Sequence, residues 1–290
     1  MAAGKKASQK RLATGRPPTV KKAKSITRKA TRTLINAHHT LEKKRAQAVR
    51  AGDDAKASEI SAEIASLGGL GEYQQASLQG QRSDRGGDTS KVLLDWLRQP
   101  DLPTQLPRQQ RIRMLEVGAL SSRNACSVSG LFDMVRIDLN SQEPAIQQQD
   151  YMQRPLPADD SERFDIVSLS LVLNFVPTPA GRGEMLRRTT NFLRSSMQLP
   201  AAASRNFFPA VFIVLPRPCL HNSRYFSEGK LVELMRLLGF TRTESKTTQK
   251  LAYSLWQLEQ VSLRQDHSLP KREINPGPKR NNFAVILEPS

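Results

Sequence analysis

The sequence predicts an α/β fold built on a mostly parallel, doubly wound sheet. Three observations carry that expectation. An apolar run (Met114, Leu115, Val117) stops at Gly118, and twenty residues later a second run (Met134, Val135, Ile137) stops at Asp138. Strand-like and helix-like apolar patterns then alternate through residues 113–258. Two β-rich runs, 250–258 and 283–287, stand near the end and suit a terminal antiparallel hairpin. Strands that alternate with helices bury a parallel sheet between two helical layers.

Each element has its own reason. Residues 1–25 are basic and almost free of bulky apolar side chains, which predicts a disordered tail. Its KKASQKR and RPPTVKKAK clusters are of the nuclear-import type. Residues 28–67 are rich in Ala, Glu, Lys and Gln, with Ile60, Ile64 and Leu67 on one helical face. Gly52 and its neighbours break this run; Asp53 or Asp54 caps the second helix, and Gly68-Gly69 stops it. The expected division is therefore a tail (1–25), a helical arm and linker (26–88) and the α/β domain (89–290). The domain opens with a helix capped by Asp88 or Thr89 that buries Val92, Leu93, Trp96 and Leu97. Strands follow at 113–117, 134–139, 164–170 and 211–215, with a helix or loop at 121–128 and helices at 183–196 and 228–238.

Charge divides the chain the same way. The first 50 residues hold 15 Lys/Arg against one acid, +14, and the remaining 240 hold 29 against 26, +3. A basic tail on a nearly neutral domain suits a polyanion or a nuclear address. Two isolated cysteines, Cys126 and Cys219, are too few for a disulfide framework or a zinc site. They fit a reducing, intracellular compartment. The longest apolar stretch, 166–177, is too short to span a bilayer, so no membrane role is expected. RGGDTSK is not a phosphate-binding loop, because Ser90 precedes Lys91 and Val92 follows it.

In a doubly wound sheet the ligand lies beyond the carboxyl ends of the strands, which selects the candidate residues. Gly118 permits a close backbone approach, and Glu116 beside it suits a charged amino group. Asp138, ending a buried strand, needs a partner such as ribose hydroxyls or the next turn. Asp150 can accept an exocyclic amine, with Tyr151 or Met152 packing on a ring. Asn174, a polar residue among apolar neighbours at the fourth strand end, suits either a place beside the reactive part of a bound cofactor or a satisfied buried amide. Arg217, His221, Asn222, Arg224 and Tyr225 follow a strand and suit phosphates and an unpaired base. No Ser/His/Asp grouping, cysteine nucleophile or metal-ligand spacing is present, so no catalytic residue and no metal are assigned.

These blocks resemble the class I S-adenosyl-L-methionine-dependent methyltransferases, the seven-stranded Rossmann-like type. They are most similar to the fungal nucleolar family that methylates N1 of an adenine in 25S rRNA. The carrying stretches are GGLGEYQQASLQGQRSDRGGDTSKVLLDWL, MLEVGALSSRNACS, RIDLNSQEPAIQQQDYM, FDIVSLSLVLNFVPTPAGRGEML and FIVLPRPCLHNSRYF, within residues 67–287. The resemblance implies S-adenosyl-L-methionine as cofactor, ribosomal RNA or a pre-ribosomal particle as partner, and nuclear import through the tail. The family's cofactor positions fall on Gly118 and Asp138. Leu120 and Ser122 stand where the superfamily has further glycines, which implies a looser hold on the methionine part of the cofactor. Asn174-Phe175-Val176-Pro177 is not the superfamily's Asn-Pro-Pro-Tyr motif, which points away from exocyclic N6 methylation. An animal branch resembles a sensor of S-adenosyl-L-methionine, so a non-catalytic sensor and a protein methyltransferase stand as alternatives.

Overall fold

A computed structural model describes residues 28–68, 87–98, 107–108, 111–141, 143–194, 207–259 and 268–289. The expected tail, 1–25, lies outside the described residues.

Two helices come first, α1 (Arg28–Arg50) and α2 (Asp54–Ser66). Gly52 turns the chain between them with φ +70°. The Asp53 side chain accepts the Lys56 amide at 3.0 Å and so satisfies one of the unpaired donors at the start of α2. The pair shares a small core of Leu41, Ala48, Ala57, Ile60 and Ile64. Leu67, expected on that face, lies past the end of α2 and is 38% exposed.

The main body contains α3 (Ser90–Leu97), β1 (Ile112–Val117), α4 (Ala125–Val128), β2 (Phe132–Asp138), β3 (Gln147–Gln148), β4 (Ile166–Ser170), α5 (Pro179–Phe192), β5 (Ala210–Pro216), α6 (Arg217–His221), α7 (Glu228–Leu237), β6 (Phe240–Thr247) and β7 (Leu251–Leu258). The seven strands form one sheet in the order β3-β2-β1-β4-β5-β7-β6. Four neighbouring pairs are parallel, whereas β5–β7 and β7–β6 are antiparallel. The sheet is therefore mixed, which corrects the mostly parallel sheet expected from the sequence. Both faces are covered, and alternate residues divide between two cores. Leu115, Val117, Leu169, Ile213 and Leu215 enter one; Met114, Ile166, Phe212 and Val214 enter the other.

The closing hairpin is a second correction. It joins β6 to β7, not β7 to residues 283–287. The segment FTRTESKT escapes pattern reading because β6 is the sheet edge: Phe240 is buried, and the other seven positions are half-buried or exposed. Residues 283–287 are apolar for another reason. Among the described residues their only strand-like pairing is a bridge between Leu269 and Leu287, and they lie over α5, with the Ile286 amide donating to the Pro179 carbonyl at 3.2 Å. A Cβ on Gly183 would stand 1.8 Å from the Ile286 carbonyl oxygen. Neighbouring Arg182, 4% exposed, donates from Nη1 to the Ala284 carbonyl at 2.7 Å and from Nε to the Val176 carbonyl at 3.0 Å. Burial pushes its pKa down to about 10, which still leaves it charged at neutral pH. Helix α5 also begins earlier than the expected residue 183. Thr178 caps it by accepting the Gly181 amide at 3.0 Å, and Pro179 fits the first turn, where no amide is needed.

Candidate active site

The register of β1 on β2 brings the two leading residues together. Val117 pairs with Ile137, so Gly118 and Asp138 each follow that pair by one residue on neighbouring strands. The Gly118 and Ala119 amides both donate to the Ile137 carbonyl, at 2.9 and 3.1 Å. Gly118 has φ +72°, and a Cβ there would meet Val172 Cγ2 at 2.6 Å. The missing side chain thus makes room for the loop after β4. That loop turns at Leu171, a non-glycine residue with φ +57°, and sets Val172 over Gly118.

Asp138 ends β2 with Oδ1 accepting the Asn140 amide at 2.8 Å, which fixes the direction of its carboxylate. Asp150 does the same one loop later, capping a short 3-10 turn through the Met152 amide at 2.8 Å. Tyr151 is corrected: it is buried, bonds Thr189 Oγ1 at 3.0 Å and packs on Phe192, so its ring is unavailable to a ligand. Met152 is half-buried and packs against the same core.

Glu116 lies beneath the start of α4. Asn124 Nδ2 reaches both its oxygens, at 2.8 and 2.9 Å, while Asn124 Oδ1 accepts the Ser127 amide and caps that helix. Burial raises the Glu116 pKa to about 7, against the lowering effects of Asn124 and Arg136; Asp88 adds to the rise. Asp88 braces the same corner, accepting the Ala125 amide at 2.6 Å and the Ser90 amide at 3.0 Å.

Asn174 follows β4. Its Oδ1 is buried and has no hydrogen-bond partner among the described residues. A buried acceptor without a partner is costly.

One contact escaped sequence reading. Glu143 Oε2 accepts from the Ser122 amide at 2.8 Å and from Ser122 Oγ at 2.6 Å, tying the loop after β1 to the loop after β2. These bonds hold the Glu143 pKa below the usual carboxylate value. A side-chain clamp therefore fixes the loop after β1 at Ser122. The partners are 21 residues apart, and no local pattern connects them.

The group after β5 is locked by the chain's C-terminal segment. The Arg224 carbonyl accepts the Ile274 and Asn275 amides at 2.9 and 3.1 Å, and the Arg224 amide donates to the Asn281 carbonyl at 2.9 Å. Lys271 Nζ lies 4.0 Å from the Tyr225 ring centroid. A face of Tyr225 that the sequence reading left for a stacked base is therefore taken by a lysine. Among the described residues, no cluster of His, Cys, Asp and Glu could hold a metal ion, and no helix is long and apolar enough to cross a membrane.

Residues 58–285 match the family described as 25S rRNA (adenine(2142)-N(1))-methyltransferase, Bmt2. A Saccharomyces cerevisiae protein named 25S rRNA (adenine(2142)-N(1))-methyltransferase is 41% identical over 79% of this chain; the matched part spans 63% of that protein's length. A Schizosaccharomyces pombe protein named 25S rRNA adenine-N(1) methyltransferase is 35% identical over 87% of this chain and 89% of its own length. Among solved structures, an O-methyltransferase of neocarzinostatin biosynthesis in complex with S-adenosyl-L-homocysteine superposes with a TM-score of 0.44 at 11% identity, covering 77% of this chain and 70% of that one. That likeness is too low to carry weight. The family match and the two sequence relatives are sufficient: the chain belongs to the Bmt2 family of 25S rRNA (adenine-N1)-methyltransferases.

Proposed function

We propose that this chain methylates N1 of an adenine in 25S rRNA, using S-adenosyl-L-methionine, in the nucleolus and on pre-ribosomal particles. The observation that carries the reading is the family match over residues 58–285, which spans every strand end of the sheet. The chemistry of the edge supports it. Asp138, Asp150, Glu116 and the orphaned Asn174 Oδ1 are all acceptors. S-adenosyl-L-methionine is cationic and presents donors: two ribose hydroxyls, an ammonium and an exocyclic amine. We assign the ribose to Asp138, close backbone approach to the Gly118 loop, the ammonium to the Glu116 corner, and adenine amines to Asp150 and Asn174. We also assign residues 89–290 as the catalytic domain, 26–88 as an arm and 1–25 as a basic tail for nuclear import and RNA.

When bound, the cofactor supplies an electrophilic methyl on a sulfonium. Adenine N1 carries its own lone pair, so the chain needs no general base. Its task is alignment, and well-oriented reactants can recover about 7–11 kcal/mol of a barrier. Because N1 is engaged in a duplex, the target adenine must be unpaired or flipped out. Methyl transfer from labelled S-adenosyl-L-methionine to 25S rRNA lacking the modification tests the reading; no label in the RNA would refute it.

A pH effect follows from Glu116. If its ionised form holds the ammonium, protonation competes with binding as the pH falls through about 7. Affinity for S-adenosyl-L-methionine is expected to be roughly tenfold weaker at pH 6 than at pH 8, as one linked proton with a pKa of about 7 requires. Glu116→Gln is expected to bind more weakly and to lose that difference; calorimetric titrations at both pH values check it.

A further inference from the structure

We propose that the C-terminal segment, docked on the loop after β5, forms a phosphate cradle that grips the single strand of RNA beside the target adenine. The proposal rests on the reading of RNA as substrate. It adds the surface that binds the strand.

The charge distribution points there first. Residues 217–226 and 271–282 hold six Lys/Arg against one acid. The rest of 51–290 holds 23 against 25. The small positive charge of residues 51–290 is therefore concentrated in these two segments. Their single acid, Glu273, faces Arg224 at 3.6 Å and leaves the outer cations uncompensated.

The fold makes a platform of them. Asn281 Nδ2 donates to the Pro218 and Asn222 carbonyls at 2.7 and 2.9 Å, and Arg224 Nη2 donates to the Gly277 carbonyl at 2.9 Å. Backbone bonds from Ile274 and Asn275 to Arg224 complete the attachment. The segment is thus held by its backbone and amide groups. Lys271, Arg272 and Lys279 remain exposed. The Tyr225 ring holds the Lys271 ammonium in place through a cation–π contact, which reduces the entropy lost when a phosphate arrives.

Position completes the argument. Arg217 directly follows β5, and β5 lies two strands from β1 in the sheet order. At about 4.8 Å per strand, the platform begins roughly 10 Å from the Gly118 turn along the same carboxyl edge. A strand lying on it can present an unpaired base to that edge.

The test measures binding of a single-stranded RNA oligonucleotide to the full chain by fluorescence anisotropy across a salt series. The variant is Lys271→Gln, Arg272→Gln and Lys279→Gln together. Each lost phosphate contact lowers the slope of log K against log salt by about 0.7, so the triple variant is expected to lose about 2 from the slope. Its S-adenosyl-L-methionine affinity is expected to be unchanged, and a charge-preserving K271R/R272K/K279R variant is expected to keep the parental slope. An unchanged slope in the glutamine variant overturns the proposal, as does an equal loss in the charge-preserving variant. If the slope falls but no RNA is ever methylated, the enzyme reading fails and the cradle stands.

Discussion

Asp138→Ala is expected to abolish methyl transfer at ordinary cofactor concentrations while leaving the fold intact. Hydrogen bonds to a charged acceptor contribute roughly 1.5–3 kcal/mol each, so two ribose hydroxyls amount to about 3–6 kcal/mol. That corresponds to roughly a hundredfold to ten-thousandfold loss of S-adenosyl-L-methionine affinity. The side chain also accepts the Asn140 amide, and losing one neutral-donor bond at a turn costs about 1 kcal/mol of stability. A purely structural role therefore predicts a slight loss of stability with normal affinity. Asp138→Asn separates the two roles, because an amide oxygen can keep the Asn140 bond but cannot accept both ribose protons. Calorimetry on the two variants, beside a denaturation curve for each, decides between the roles.

Gly183→Ala is expected to destabilise the protein strongly, against the usual trend. In a helix interior this exchange ordinarily stabilises by about 1 kcal/mol. Here the new methyl would stand 1.8 Å from the Ile286 carbonyl oxygen, with backbone on both sides and no flexible side chain to yield. The segment over α5 must lift, exposing Phe283, Ala284, Val285 and Leu287 and breaking the bond from Arg182 to Ala284. Forced overpacking costs up to about 3 kcal/mol. In a protein of this size that lowers Tm by roughly 6–12 °C. A melting temperature equal to or above the parent's would show that the segment is not seated there. The same lift would disturb the phosphate cradle, so RNA affinity is expected to fall together with stability.

The strand ends at Gly118 and Asp138 were legible because β1 and β2 write apolar runs that end abruptly, and because twenty residues suffice for a turn, a short helix and a return. Register then made them neighbours. β4 and β5 were readable because each is buried on both faces, whereas β1 and β2 show shorter apolar runs interrupted by Arg113, Glu116, Asp133 and Arg136. β6 was not, since an edge strand with one buried residue has no apolar alternation to display. β3, only Gln147–Gln148, is held by backbone pairing to Ile137 and Asp138, to which composition is blind. Residues 283–287 misled in the opposite direction, because covering a helix requires the same apolar side chains as entering a sheet.

At the site, residue type was readable but facing was not. Tyr151 and Tyr225 both had the right chemistry for a base. One is turned into the core beside Phe192, and a face of the other is covered by Lys271. The Ser122–Glu143 clamp joins two loops that are local only after folding. Asn174 became informative when its surroundings were known: among apolar neighbours it is one more amide, whereas a buried oxygen with no donor asks for a ligand.

The proposed reaction is defined by the atom that receives the methyl group. Nucleoside analysis of 25S rRNA, methylated by the full chain with labelled S-adenosyl-L-methionine, reads it directly. The label is expected in 1-methyladenosine, with none from the Asp138→Ala chain; label in N6-methyladenosine alone, or undiminished 1-methyladenosine from Asp138→Ala, would contradict the proposed reaction.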